Sequence, residues 1–214
     1  MMNSFKIVVK RWVKVLPFYL FTLLPLFASC SDESETEGEF DNWQQKNEVF
    51  FNQVVSNPNY KKILTYTKDA TNPSVTDADY IYVDVLEEGS GTETPLFTDS
   101  VFYTYRGRLM PSKSYADGYV FDQSFLGDFD WTTSGMLKAC VSWNTYSTGT
   151  SLWTEGFCTA LQNMKKGAHW LVYIPYQLGY GETASSSIPG YSMLVFEMAI
   201  ADIWHPGETR PEFK

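Results

Sequence analysis

The chain has little of what covalent or metal chemistry usually draws on. Its 214 residues hold two histidines, His169 and His205, and three cysteines. Two histidines are too few for a histidine-rich metal site, and no Ser/His/Asp or Cys/His set is discernible. No phosphate-cradling glycine motif of the Walker or dinucleotide type occurs, and no Gly-x-Ser-x-Gly. Positive charge is also scarce: 16 Lys and Arg face 25 Asp and Glu, a net charge of −9. Such a chain repels phosphate backbones, which excludes nucleic acid as a partner. Charged residues make up 19% against 44% apolar ones, so a disordered or coiled-coil protein is excluded as the main architecture. What is abundant is aromatic: 17% of the chain, with 7 Trp, 14 Tyr and 15 Phe. Large planar side chains suit pleated, half-buried surfaces and aromatic-lined pockets. The length allows one domain, or one domain with an appendage.

The first thirty residues read as a targeting segment. Residues 6–14 are basic, with Lys6, Lys10, Arg11 and Lys14. Residues 15–27 are an apolar run of thirteen, broken by Pro17 and Pro25. A membrane-spanning helix needs about twenty residues, so this run fits the core of a signal peptide. Phe27-Ala28-Ser29-Cys30 follows. It resembles a bacterial lipobox, with Phe27 where Leu is usual. That implies cleavage after residue 29 and lipidation of Cys30, enough for stable anchoring to a membrane. Losing residues 1–29 would make the net charge four units more negative. Residues 30–39 are polar and acidic, a tether kept open by self-repulsion, or an export tag for the cell surface. An uncleaved anchor or an ordinary secreted protein is the alternative. The expected location is the bacterial cell envelope, as an outer-membrane lipoprotein facing the periplasm or the cell surface. There Cys140 and Cys158 could form a disulfide, or remain two buried thiols.

Along the remaining chain, residues 40–55 have near-helical apolar spacing (Trp43, Phe50, Phe51, Val54, Val55), with Asp41 as N-cap candidate. Residues 61–75 are polar and read as a connection. The whole segment 40–75 is too small to fold alone, so it must pack on the main domain or on a partner. That domain spans residues 76–204. Ile81, Val83 and Val85 share one face of a strand, and residues 99–109 form a second. Residues 111–151 read as loops with one or two short strands. Phe157, Ala160, Leu161 and Met164 mark a short helix stopped by Gly167. Strands over residues 169–174 and 192–203 close the domain, and 205–214 is a tail. Strands, one short helix, then strands argue for an α+β fold with the helix on one face of an antiparallel sheet.

The chemistry rests on pieces taken in order. Tyr105-Arg106-Gly107-Arg108-Leu109 is followed by Val120-Phe121-Asp122-Gln123-Ser124. Next comes Gly156-Phe157, with Ala160-Leu161, Met164 and Gly167 at fixed offsets. Ile174-Pro175, Gly179-Tyr180-Gly181, Ile188-Pro189 and Leu194-Val195-Phe196-Glu197 complete the set. Each piece is weak alone; their shared order and spacing resembles the FKBP-type peptidyl-prolyl cis/trans isomerases over residues 76–204. The resemblance implies an FKBP-like antiparallel sheet wrapped around one short helix, here preceded by the signal peptide and a short N-terminal helix. It implies a proline pocket lined by Tyr105, Phe121, Phe157, Ile188 and Phe196. Tyr180 would offer its hydroxyl to a substrate carbonyl, and Asp122 would be the polar wall. On pattern alone the aromatics could equally be sheet core, and Asp122 a turn-capping carboxylate. The implied partners are proline-containing polypeptides, with macrolide inhibitors in the same pocket. The reaction needs no cofactor and no metal.

Four departures stand out. Phe157 takes a floor position that is usually Trp. Trp153 and Thr154 replace the hydrophobic rim pair. No basic residue follows Phe121-Asp122 to partner the aspartate. Residues 125–152 are longer than in minimal members and carry Phe129, Trp131, Trp143 and Tyr146, which could form a lid, a docking flap or a packed loop. Two other functions compete: the same fold as a chaperone with little turnover, and a glycan-binding surface module built on Trp131, Trp143 and Trp153. His169 reads as structural, and His205 receives no role. The short N-terminal helix argues for a monomer.

Overall fold

The computed structural model describes residues 38–141, 153–209 and 212. The signal peptide, Cys30, most of the acidic tether, Trp143 and Tyr146 lie outside the described residues. Among the described residues, two α-helices and seven strands follow in the order α1 (Trp43–Val55), β1 (Lys61–Leu64), β2 (Tyr80–Glu88), β3 (Ser100–Leu109), β4 (Val120–Gln123), β5 (Leu137–Cys140), α2 (Glu155–Asn163), β6 (Ala168–Ile174) and β7 (Leu194–Trp204). The strands make one antiparallel sheet, β1-β2-β6-β7-β3-β4, with β5 paired to the first half of β3. The expected α+β class and the sheet around one short helix are what the structure has.

Alternation along the strands decides what each face holds. Ile81 and Val83 of β2, Trp170, Val172 and Ile174 of β6, and Phe196 and Met198 of β7 are buried in one core with Leu161 of α2 and Met164 at its C-terminal end. Gly156 lets the helix approach closely, since a Cβ there would collide with Ile174. The opposite face is also covered. Val54 of α1 packs with Tyr82, Tyr173, Met193 and Val195, and Phe51 meets the Tyr82 ring edge-on at 6.0 Å. Segment 40–75 therefore folds back onto its own sheet. It also contributes an unexpected edge strand, β1, where Ile63 faces Ile81 in the register with β2.

The far end of that outer face is covered by residues 125–134. The Phe129 ring lies 4.2 Å from His169, and Trp131 Nε1 donates to Glu87 Oε2 at 3.0 Å. The Arg106 guanidinium lies 4.3 Å over Phe125, donates to Gly127 O, and stands 3.6 Å from Glu197. His169 Nε2 is 3.1 Å from Glu197 Oε1, and this bond holds the Glu197 carboxyl below its ordinary pKa. This part of the long insert is a packed loop on the sheet, and His169 is one of its anchors.

One local expectation differs, and of two alternatives left open for Cys140 and Cys158 the structure has the thiols. Asn42, in the left-handed conformation at φ 54, takes the N-cap position of α1, while Asp41 Oδ2 accepts from Gly38 N at 2.7 Å. Cys140 and Cys158 are not joined: Cys158 Sγ donates to Val141 O and Cys140 Sγ to Thr98 O, each at 3.6 Å. Their thiols point at different carbonyls because β5 carries Cys140 along the edge of β3 while Cys158 is buried in α2.

Candidate functional site

Strand β3 supplies the base of a cleft. Tyr103 and Tyr105, two residues apart, fall on the same face and stack with ring centroids 5.9 Å apart. Two residues further on, Gly107 pairs with Phe196 of β7 and Asp122 of β4. A Cβ at Gly107 would stand 2.5 Å from the Phe121 ring and 2.7 Å from that of Phe196, so only glycine lets these two rings close over the strand. The rings meet edge-on at 5.5 Å.

Helix α2 supplies the floor. Thr154 is its N-cap; its hydroxyl accepts from Phe157 N at 3.3 Å, which satisfies one of the helix's unpaired first-turn donors. This fixes Phe157 at the helix start, edge-on to Trp153 at 4.4 Å, Tyr105 at 5.7 Å and Phe196 at 5.1 Å. Trp153 is 8% exposed and lies 4.9 Å from the Tyr103 ring. The cleft opens to solvent. Tyr103, Tyr105, Phe121, Asp122, Trp153, Thr154, Phe157, Tyr180 and Phe196 line it.

Of the residues singled out in the sequence, Tyr105, Phe121, Asp122, Phe157, Tyr180 and Phe196 come together here, with Trp153 and Thr154 at the same cleft. Ile188 does not join them; it is 5% exposed in the main core, and the lining leaves it out. Tyr103 was not anticipated. The period-two alternation that puts Tyr105 on the inner face puts Tyr103 there too, so the signal was present in the strand.

The polar groups are specific. Tyr105 Oη donates to Asp122 Oδ2 at 2.5 Å, and Gln123 N donates to Asp122 Oδ1 at 2.9 Å. Where a basic partner was missing from the sequence, a phenol and a backbone amide hold the carboxylate. Burial and the Asp122 bond push the Tyr105 phenol well above its ordinary pKa; burial and the Asp122 charge push Tyr103 up to about 12. Tyr180 is 42% exposed and its hydroxyl has no hydrogen-bond partner among the described residues. Burial of its ring and the charge of Asp122 raise its pKa as well, so it is an O–H donor throughout the neutral range.

Fold and cleft together define a small α+β protein that binds in an aromatic box with phenolic donors at its rim. Residues 91–201 match the family model of the FKBP-type peptidyl-prolyl cis-trans isomerases, and the chain belongs to that family. The FKBP-type peptidyl-prolyl cis-trans isomerase FkpA of Escherichia coli K12 is 30% identical over 119 residues, 56% of this chain and 36% of that protein. The macrophage infectivity potentiator of Trypanosoma cruzi is 33% identical over 128 residues, 58% of this chain and 54% of that one. The chain thus spans about a third to a half of these relatives. A crystal structure of a peptidyl-prolyl cis-trans isomerase from Pseudomonas syringae superposes with a TM-score of 0.54 at 24% identity, covering 78% of this chain and 98% of that one. FkpA of E. coli gives 0.52 at 24% identity, covering 76% and 60%. These likenesses carry the fold.

Proposed function

We propose that the protein is a peptidyl-prolyl cis/trans isomerase that assists the folding of envelope or secreted polypeptides. The observation that carries this is the cleft: six aromatic rings around a space for a proline ring, with the unpartnered Tyr180 hydroxyl beside it. An Xaa-Pro bond turns slowly because rotation destroys amide resonance, a barrier of about 18–20 kcal/mol. The twisted amide is less polar than the planar one. A box of rings favours it relative to the planar ground state, which is differential binding of the transition state. Tyr180 donates to a carbonyl of the chain being turned. Asp122 holds the Tyr105 hydroxyl away from the proline ring, so that wall stays apolar towards the substrate.

On this reading residues 76–204 are the isomerase domain and 40–75 a segment docked on it. The signal-like residues 1–29 and Cys30 support a lipid-anchored envelope protein; acyl labelling that persists in Cys30→Ala would sink that anchor. Helix α1 turns its buried residues Trp43, Asn47 and Val54 to its own chain, which supports a monomer. A glycan platform is disfavoured, because Trp131 is bonded to Glu87 and Trp153 is buried in the aromatic box. The test is acceleration of Xaa-Pro isomerisation by the purified protein, and its suppression by a tacrolimus-type macrolide. A folded protein with no acceleration over buffer would overturn the proposal.

A further inference from the structure

Tyr180 rides on the segment between β6 and β7, residues 175–193. The segment is closed on itself: Gly181 N donates to Tyr176 O at 2.8 Å, and Tyr191 N donates to Gly181 O at 2.9 Å. Ser185 and Ile188 exchange backbone bonds at 2.9 Å. Tyr191 sits at φ 61, a left-handed conformation that is uncommon and strained for a bulky side chain unless its surroundings enforce it.

The enforcing contacts come from outside the family match. Trp43 Nε1 donates to Ser192 Oγ at 2.8 Å, and Ser192 Oγ donates to Pro189 O at 2.6 Å. Met193 N donates to Asn47 Oδ1 at 2.8 Å, and Asn47 Nδ2 donates to Trp43 O at 2.8 Å. Trp43, Asn47, Ser192 and Met193 are 2–6% exposed. Two side chains one turn apart on α1 thus grip Ser192 and Met193, directly after the strained Tyr191, and Ser192 in turn ties Pro189 on its other side. Away from water these bonds are worth more, and the Met193 N–H would be orphaned without Asn47.

We infer that α1 is a clamp on the pocket loop, and that Trp43 and Asn47 are positioning residues that hold Tyr180 over the cleft. Resting on the isomerase reading, this assigns the N-terminal helix a part in turnover. Loops that carry binding groups are drawn from the less stable parts of a fold, so a fixed outside brace decides how often such a group is in place.

The test uses the full chain with Trp43→Phe, which removes one donor and keeps a ring, and Asn47→Ala. Each is combined with Tyr180→Phe, with Val54→Ala as a control that loosens α1 at its far end. Trp43→Phe and Asn47→Ala should each lower kcat/KM about fivefold, as expected within one hydrogen-bond network, but less than about twofold in the Tyr180→Phe background. Val54→Ala should lower the melting temperature without that coupling to Tyr180. Equal losses in both backgrounds would overturn the inference and leave the isomerase intact. Amide exchange gives a readout free of activity: Gly181 and Tyr191 should exchange at least about tenfold faster in Asn47→Ala while Val172 in β6 is unchanged. Unchanged exchange at Gly181 and Tyr191 overturns the clamp. A wild type without turnover overturns the function, and the exchange result still decides the clamp.

Discussion

Gly107→Ala separates what the pocket needs from what the fold needs. The new Cβ would stand 2.5 Å from Phe121 Cζ and 2.7 Å from Phe196 Cε1. Ordinary carbon contacts begin near ~3.5 Å, so both rings must withdraw by about 1 Å. The obstructing atoms are ring edges that face the open cleft; Phe121 is only partly buried, and Phe196, though buried, borders the same open space, so the rings can give way. The stability cost then lies at the low end of overpacking, about 1 kcal/mol, or a fall of about 2–4 °C in Tm. The cleft takes the change instead, because those two rings are its walls. A displacement of this size at a binding surface can cost up to about a hundredfold, and kcat/KM should fall at least about tenfold. Gly156→Ala gives the converse. Its Cβ would strike Ile174, which is fully buried and has nowhere to go. That should cost about 2–3 kcal/mol and about 5–10 °C in Tm, with a smaller loss of kcat/KM measured well below Tm. Thermal melts and the proline-peptide assay on both variants decide it. Wild-type kcat/KM in Gly107→Ala, or a Tm loss as large as that of Gly156→Ala, would refute the reasoning.

Tyr105→Phe removes the donor that holds Asp122 at 2.5 Å. With Asp122 exposed, Tm should move little while kcat/KM drops severalfold; an unchanged rate would remove Asp122 and Tyr105 from the mechanism. Phe129→Ala should lower stability by about 1–2 kcal/mol, since the ring is half-buried on His169, and leave kcat/KM at the wild-type value. A loss of turnover there would make the insert part of the site. His205 Nδ1 lies 2.9 Å from Asp99 Oδ1, and this bond raises the histidine pKa. A raised folded-state pKa stabilises fully below the unfolded value of about 6.5, and the gain is lost as pH rises through the folded value. Melts of wild type and His205→Gln should therefore differ most at acidic pH and converge above neutrality; a gap that widens with pH would contradict the pairing.

The pocket was legible because its chemistry is written as local pieces. Tyr105, Phe121-Asp122, Gly156-Phe157 and Tyr180 each sit in a short string whose order survives folding. What the sequence hid depends on partners far along the chain. The strands read as having one apolar face, yet Tyr82 and Tyr173 are buried on the other, because α1 lies over them. The polar segment 61–75 read as a connection; four of its residues form β1 only because the edge of β2 offers unpaired backbone groups. Arg106 and His169 lie on the strand face opposite the core, and they are buried because residues 125–134 fold back over them. Ile188 was placed in the lining by resemblance, yet it is buried in the core.

The departures from the family pattern compensate one another in space. Phe157 offers less surface than the tryptophan usual at the floor. The shortfall is met from two directions that the sequence separates by fifty residues: Trp153 leans on Phe157 at 4.4 Å, and Tyr103 stacks behind Tyr105 and against Trp153. A floor of one large ring becomes a floor of three smaller contacts. Tyr103 lines the same cleft, and burial, with the charge of Asp122, pushes its phenol up to about 12, so it stays an O–H at neutral pH. An apolar proline ring set on that hydroxyl would leave it without a partner, at a cost of about 1–3 kcal/mol. Tyr103→Phe should therefore tighten binding of an apolar macrolide about tenfold or more, read by calorimetric titration. Weaker binding would mean that the hydroxyl donates to the ligand, and that the floor is polar by design.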